Sequence, residues 1–203
     1  SDYILSRYRP PEDKRLLVFL QCSVRRPFSK SPSHASMRRA IWVATGRDPR
    51  ADFPTCPVHV VVLASKIGPV PYELEDAYPA NVRGGGVKHF DPLYYDRVWP
   101  VLAGRVSAYL QAHGEQYDHI ATFTEGRYAE VMTPAAEAAG REVIVLPMED
   151  GPRATRIGAS QPRTYWEKRW IQLSLRLLDW LGPQWRTRAA QRLAALDVVY
   201  EGT

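Results

Sequence analysis

Between Cys22 and His34 the chain gathers a thiol, the guanidiniums of Arg25 and Arg26, several hydroxyls and an imidazole. A cysteine flanked by guanidiniums is a nucleophile in waiting. An imidazole and hydroxyls nearby can move the protons that a nucleophilic addition displaces. Cys22, Arg26, Ser29, Ser31 and His34 are therefore the candidate catalytic residues. Each also has an ordinary reading. A cysteine at a strand end is commonly a small apolar filler, Ser31 is needed as a helix cap, and His34 suits a capping or solvent-facing position. Cys56, flanked by Pro54 and Pro57, reads as structural, and His59 as a hydrogen-bonded core histidine.

The elements that would position these groups follow from the pattern around them. Leu16 to Leu20 is wholly apolar and reads as a buried strand over about 15–22, so Cys22 falls at its carboxyl end, where open α/β sheets bind ligands. Ser31-Pro32 has the form of an N-cap followed by proline at the first helical position, predicting a helix through Met37, Ile41 and Val43 to Gly46. A second strand is expected over 57–63. Residues 65–79 and Gly84-Gly85-Gly86 read as a long functional loop, too rich in proline and glycine for a regular element. A helix over 94–113, strained or divided at Pro100, precedes a strand over 119–124. A further helix then runs to Gly140, and a strand follows over 142–146.

This alternation predicts an α/β fold. Its expected form is a three-layer α/β/α arrangement with a mainly parallel sheet of about four strands, whose carboxyl ends carry Cys22, Ser65, Glu125 and Pro147. Beyond a loop over 148–162, Trp166, Trp170, Leu173, Leu177 and Leu181 mark the core face of an amphipathic helix. Gly182-Pro183 breaks it before a last helix holding Leu193 and Leu196. The expected organisation is a single domain over 1–203, with an α/β core over 15–147 and a basic loop and C-terminal helices over 148–203.

No apolar stretch approaches the ~20 residues that span a bilayer, and the polar start lacks a signal-peptide core, so a cytoplasmic protein without a membrane partner is expected. The two cysteines and five histidines lack ligand spacing, and the triple glycine lacks a P-loop lysine. Neither a metal nor any other cofactor is expected. The net charge of +5 is unevenly spread. Residues 23–50 hold Arg25, Arg26, Lys30, Arg38, Arg39, Arg47 and Arg50 against Asp48 alone, and residues 153–192 hold nine Lys or Arg against Glu167 and Asp179. Arginine suits phosphate contact, so nucleic acid is the expected partner, with Arg25, Lys30, Arg38, Arg153, Arg156 and Arg163 on its backbone. The plainer reading is a set of solvated faces.

The segment from Gln21 to His34 resembles the motif of archaeosine synthases, which act on the nitrile of 7-cyano-7-deazaguanine in transfer RNA. Their pattern is Pro-Cys, three residues, Lys-Pro-Tyr, two residues, Ser, two residues, His. This chain has Gln21-Cys22, Arg26-Pro27-Phe28, Ser31 and His34 at the same spacing, with Gln21, Arg26 and Phe28 departing in identity. The run from Ser65 to Pro79 is similar to a Gly-x-Val-Pro-x-Glu-Leu-Glu-x-x-Tyr-Pro run of that family, and Gly126 to Glu130 to its Gly-Gly-Tyr-Arg-Glu.

The resemblance implies a fold similar to uracil-DNA glycosylases and chemistry on a nitrile. It implies two possible nucleophiles. Water would give 7-amido-7-deazaguanine in DNA, alongside partner proteins of a DNA-modification system; free lysine would give the family's usual product in tRNA. A non-catalytic module that binds the modified base is the reading of a different class. Attack by Cys22 to form a thioimidate and attack by a water held on His34 both fit the residues. For the substrate, Glu73, Glu75, Asp76 or Glu125 can accept from a guanine edge, Phe28 or Tyr128 can stack on the base, and Pro27 and Arg127 complete the expected binding set.

Overall fold

In the computed structural model, residues 2–82 and 92–202 are described, with the side chains of Asp2 and residues 92–95 excepted. Gly84 to Gly86 and His89 therefore lie outside the described residues. The chain divides into two compact units, residues 1–31 with 57–145, and residues 32–56 with 146–203.

The first unit opens with a short helix α1 (Asp2–Ser6) and is built on a five-stranded sheet in the order β3-β2-β1-β4-β5. Strand β1 (Leu16–Gln21) runs parallel to β2 (Val58–Ala64) on one side and β4 (His119–Phe123) on the other, with Leu17 opposite both His59 and Ile120. Every residue of Leu16 to Leu20 and of β2 is buried, which explains why these strands read as unbroken apolar runs. Strand β5 (Ile144–Leu146) closes one edge.

At the other edge, β3 (Gly68–Pro71) pairs antiparallel with β2, followed by a 3-10 turn at Tyr72–Leu74. This corrects one expectation: the segment read as a loop over 65–79 contains a strand, which brings the mainly parallel sheet to five. An edge strand tolerates Pro69 and Pro71 because only one of its sides must donate to a ladder.

Helix α3 (Pro92–His113) is continuous through Pro100, and α4 (Arg127–Ala139) ends on Gly140 in the left-handed conformation. Alternate residues of the central strands, Leu17, Phe19, Val61 and Leu63, form one core with Leu102, Val106 and Leu110 of α3 and Val131, Met132 and Ala135 of α4. The period of two on the strands and of three to four on the helices meet on this face.

The second unit consists of α2 (Pro32–Thr45), α5 (Tyr165–Leu181), α6 (Pro183–Ala195) and a small antiparallel pair, β6 (Arg153–Ile157) with β7 (Val198–Glu201). Strand β6 occupies part of the segment expected to be a loop over 148–162. Trp166, Trp170, Leu173 and Leu177 are buried as their spacing requires, α5 packs along α2, and Ser174 Oγ donates to the Ala40 carbonyl at 2.8 Å on that seam. Cys56 is buried in this unit. Among the described residues, no helix is long and apolar enough to cross a membrane.

Candidate active site

Cys22 directly follows β1 and is half-buried, resting on the core shared with α3 and α4. Its Sγ lies 2.9 Å from the hydroxyl of Tyr128. Tyr128 reaches that point because the chain turns abruptly out of β4. Gly126 has φ +54° and ψ −135°, a combination open to glycine and costly to other residues, and α4 starts at the next residue. The edge of one ring meets the face of the other where Tyr128 abuts Trp99, with centroids 5.3 Å apart, so the phenol is held by its ring while its hydroxyl addresses sulfur. A hydrogen-bond donor at that distance favours a thiolate and can also hand over a proton.

The loop after Cys22 is gathered by Arg26. Its Nε donates to the Ala80 carbonyl at 3.0 Å and its Nη1 to the carbonyls of Ser23 and Arg25, while the guanidinium lies 3.9 Å from the centre of the Phe28 ring. Burial pulls the Arg26 guanidinium below its ordinary range, against the opposing influence of Cys22, Tyr128 and Glu75. Arg26 thus clamps the loop in the neighbourhood of the thiol. Phe28 is fully buried beneath it and has no exposed ring face. The next residue, Ser29, gives both its N–H and its hydroxyl to Glu75, at 2.8 and 2.5 Å, and Glu75 is itself fully buried. Gln21 ties the ends of two strands together, its Oε1 accepting from the Glu125 N–H at 3.0 Å.

Ser31 is extended and buried just before α2, as a residue at a helix entrance should be. His34, the third residue of α2, belongs to the second unit and is fully buried. Arg25, Lys30, Asp76 and Arg127 are exposed; Arg127 pairs with Glu130 at 3.4 Å, and Glu125 is half-buried.

Glu73 is placed elsewhere, away from the thiol. It accepts from the Tyr8 hydroxyl and stands 3.2 Å from Nε2 of His59. His59 pairs with Leu17, five residues before Cys22, or about 16 Å back along the strand. The other ring nitrogen of His59 is 2.6 Å from the Tyr117 hydroxyl, and Tyr8 stacks on the His59 ring at 6.5 Å. Burial alone pushes the Glu73 carboxyl up, but the hydrogen bond and electrostatic pull of His59 and the Tyr8 hydroxyl outweigh it. The carboxyl titrates below the ordinary glutamate range. Burial, with Glu73 beside it, drives the Tyr8 phenol far above its ordinary range.

In the second unit, Arg38 pairs with Asp48 at 2.8 Å, Arg153 donates to the Glu149 carbonyl at 2.6 Å, and Arg156 pairs with Asp197 at 2.6 Å. Three of the expected phosphate contacts thus have partners inside the protein, whereas the Arg163 side chain is exposed. Trp99 and Gln21 join the surroundings of the thiol without having been expected there. Gln21 carried a signal, since it stands beside Cys22 where the archaeosine synthase pattern has proline. Trp99 had none beyond its helical spacing. Among the described residues, no group of three or more His, Cys, Asp or Glu side chains is arranged to hold a metal ion.

Comparison with known proteins adds relatives to this geometry. The chain is 33% identical over 142 residues to the archaeosine synthase subunit alpha of Methanosarcina acetivorans, covering 70% of this chain and 20% of that one. It is 31% identical over 150 residues to the subunit of the same name from Thermococcus kodakarensis, covering 73% and 24%. The archaeosine synthase of Haloferax volcanii is 29% identical over 140 residues, covering 68% and 20%. The chain therefore spans about a fifth to a quarter of the length of these relatives. Among solved structures, it shares a fold with AF0587, described as a protein of unknown function, at a TM-score of 0.51 and 18% identity over 73% of this chain and 43% of that one. The family described as Domain of unknown function (DUF5591) matches residues 1–157, and the chain belongs to that family as an archaeosine-synthase-like member.

Proposed function

We propose that this chain hydrates the nitrile of 7-cyano-7-deazaguanine in DNA, giving 7-amido-7-deazaguanine. The observation that carries the reading is the 2.9 Å contact between Cys22 Sγ and the Tyr128 hydroxyl, at a strand end and inside the segment spaced like the archaeosine synthase motif. The names of the relatives support a 7-deazaguanine substrate.

In this reading the Cys22 thiolate attacks the nitrile carbon. A C–S bond forms, one C–N π bond breaks, and its electron pair on nitrogen takes the proton of Tyr128, leaving a thioimidate and a tyrosinate. Water then adds to the same carbon and gives a proton to the tyrosinate. Tyr128 passes that proton to nitrogen and recovers one from the new hydroxyl as the carbonyl forms and the thiolate departs. The sum is nitrile plus water to amide, with both side chains restored. Arg26 keeps the Cys22 loop in place, and Glu125 and Asp76 are the carboxylates proposed for the guanine edge. A base in duplex DNA must be flipped out to reach the thiol.

A second reading, addition of lysine to the base in tRNA, is favoured by the relatives' archaeosine synthase names. Mass spectrometry of nucleosides separates the two. DNA carrying 7-cyano-7-deazaguanine is incubated with protein alone, beside tRNA supplied with free lysine. A gain of one water in the DNA nucleoside is the expected result. A lysine adduct confined to tRNA replaces this reading with the second, and no change in either leaves a module that binds the modified base.

A further inference from the structure

In the second unit, an open cleft of about 300 Å³ is lined by Arg39 of α2, the segment Ser160 to Arg163, and Glu167 of α5. Main-chain hydrogen bonds brace its walls. Ile157 and Ser160 exchange main-chain hydrogen bonds at 3.0 and 3.2 Å around a turn in which Gly158 has φ +59°, and the Gly158 N–H is tied to the Leu196 carbonyl at 2.9 Å. The amino end of α5 is already satisfied. The Thr164 side chain accepts from the Glu167 N–H, and the Glu167 carboxylate accepts from the N–H groups of Arg163 and Thr164, at 2.6 and 3.1 Å. That carboxylate is therefore turned toward its own main chain.

The two guanidiniums of the cleft differ from most of their neighbours. Arg38, Arg156, Arg176 and Arg186 pair with carboxylates, and Arg153, Arg169 and Arg192 donate to carbonyls. Arg39 and Arg163 have no ion pair or side-chain hydrogen bond among the described residues. The only acids in the stretch 153–192 are Glu167, held in the cap, and Asp179, shared by Arg176 and Arg186. The cleft lining thus sets two guanidiniums against one carboxylate already engaged in the cap, an arrangement that favours an anionic ligand. Two forked cations beside a serine hydroxyl and a glutamine amide match the oxygens of a phosphate, and the volume suffices for a phosphate with its sugar.

We propose that this cleft holds a backbone phosphodiester of the nucleic acid on which the protein acts. The proposal rests on the reading of a nucleic-acid substrate, but its test needs no modified base and no turnover, so the two can fail separately. A fluorescein-labelled single-stranded DNA 12-mer, and an RNA of the same sequence, are titrated with the full chain by anisotropy between 50 and 200 mM salt. Arg39→Ala with Arg163→Ala is expected to weaken binding about tenfold per arginine and to lower the salt slope by about one for each phosphate no longer neutralised. Arg39→Lys with Arg163→Lys is expected to recover part of the affinity, because charge remains while the fork is removed. Arg188→Ala, an exposed arginine of α6 outside the cleft, serves as the control. Weakening on one polymer alone identifies that polymer as the ligand. Absence of wild-type binding, an unchanged salt slope in the double alanine variant, or an equal weakening in Arg188→Ala would each overturn the proposal.

Discussion

The two ends of the central sheet each carry a tyrosine hydroxyl on a chemically capable side chain, yet they are built to opposite purposes. At the amino ends, Tyr8 and Tyr117 engage the two nitrogens of His59, Glu73 joins them, and His59 is fully buried. At the carboxyl ends, Tyr128 meets Cys22, which remains half-buried at the start of a loop. A buried network that occupies both nitrogens of its histidine fastens the N-terminal segment to the sheet and resists rearrangement. A half-buried thiol beside a phenol keeps part of its surface accessible. The residue types at the first end are as reactive as those at the second; what differs is how many of their bonds are already made.

Substitutions at the two ends should therefore separate activity from stability. Cys22→Ala is expected to reduce product formation by on the order of 10⁴-fold or more while leaving the melting temperature within a few degrees, checked by nucleoside mass spectrometry beside thermal denaturation. Retained turnover would make Cys22 a bystander to direct attack by water. Tyr128→Phe keeps the ring on Trp99 and removes only the hydroxyl, so kcat should fall about 10²- to 10⁴-fold with KM little altered. A raised KM at normal kcat would make Tyr128 a stacking residue and erase the contrast. Tyr8→Phe and Glu73→Gln should do the reverse, costing ~1–3 kcal/mol in urea unfolding with unchanged kcat.

Acid should act on the same network. Because Glu73 titrates lower folded than unfolded, its contribution is complete above the ordinary glutamate value of 4.5 and disappears as pH falls through the depressed folded value. The slope for this one proton is at most ~1.4 kcal/mol per pH unit, and unfolding of the Glu73→Gln variant as a function of pH should lack it. The smallest expected effect belongs to Gln21→Ala, which removes one hydrogen bond between strand ends and should cost ~1 kcal/mol or less in the same assay.

Several of these features were legible in the sequence. Leu16 to Leu20 and Val58 to Leu63 announce buried strands because an interior parallel strand is covered on both faces, and the Trp166 to Leu177 stripe announces α5. Strand β6 was not legible, since its partner lies more than forty residues away and Ala154 is its only fully buried residue. The segment around Cys22 was recognisable from its spacing, whereas the Cys22–Tyr128 contact joins residues 106 positions apart, for which no local period exists. Glu73 and Glu75 looked equivalent. A 3-10 turn advances about 120° per residue, so side chains two apart leave in different directions, one toward His59 and the other toward Ser29.

The prolines that disguised β3 have a further effect. Pro69 and Pro71 occupy alternate positions of the edge strand, so the side turned away from β2 offers no main-chain donors there. At the opposite edge, β5 is only three residues long. A strand from another molecule finds no adequate template at either border, and the sheet is protected against growing by addition of further strands.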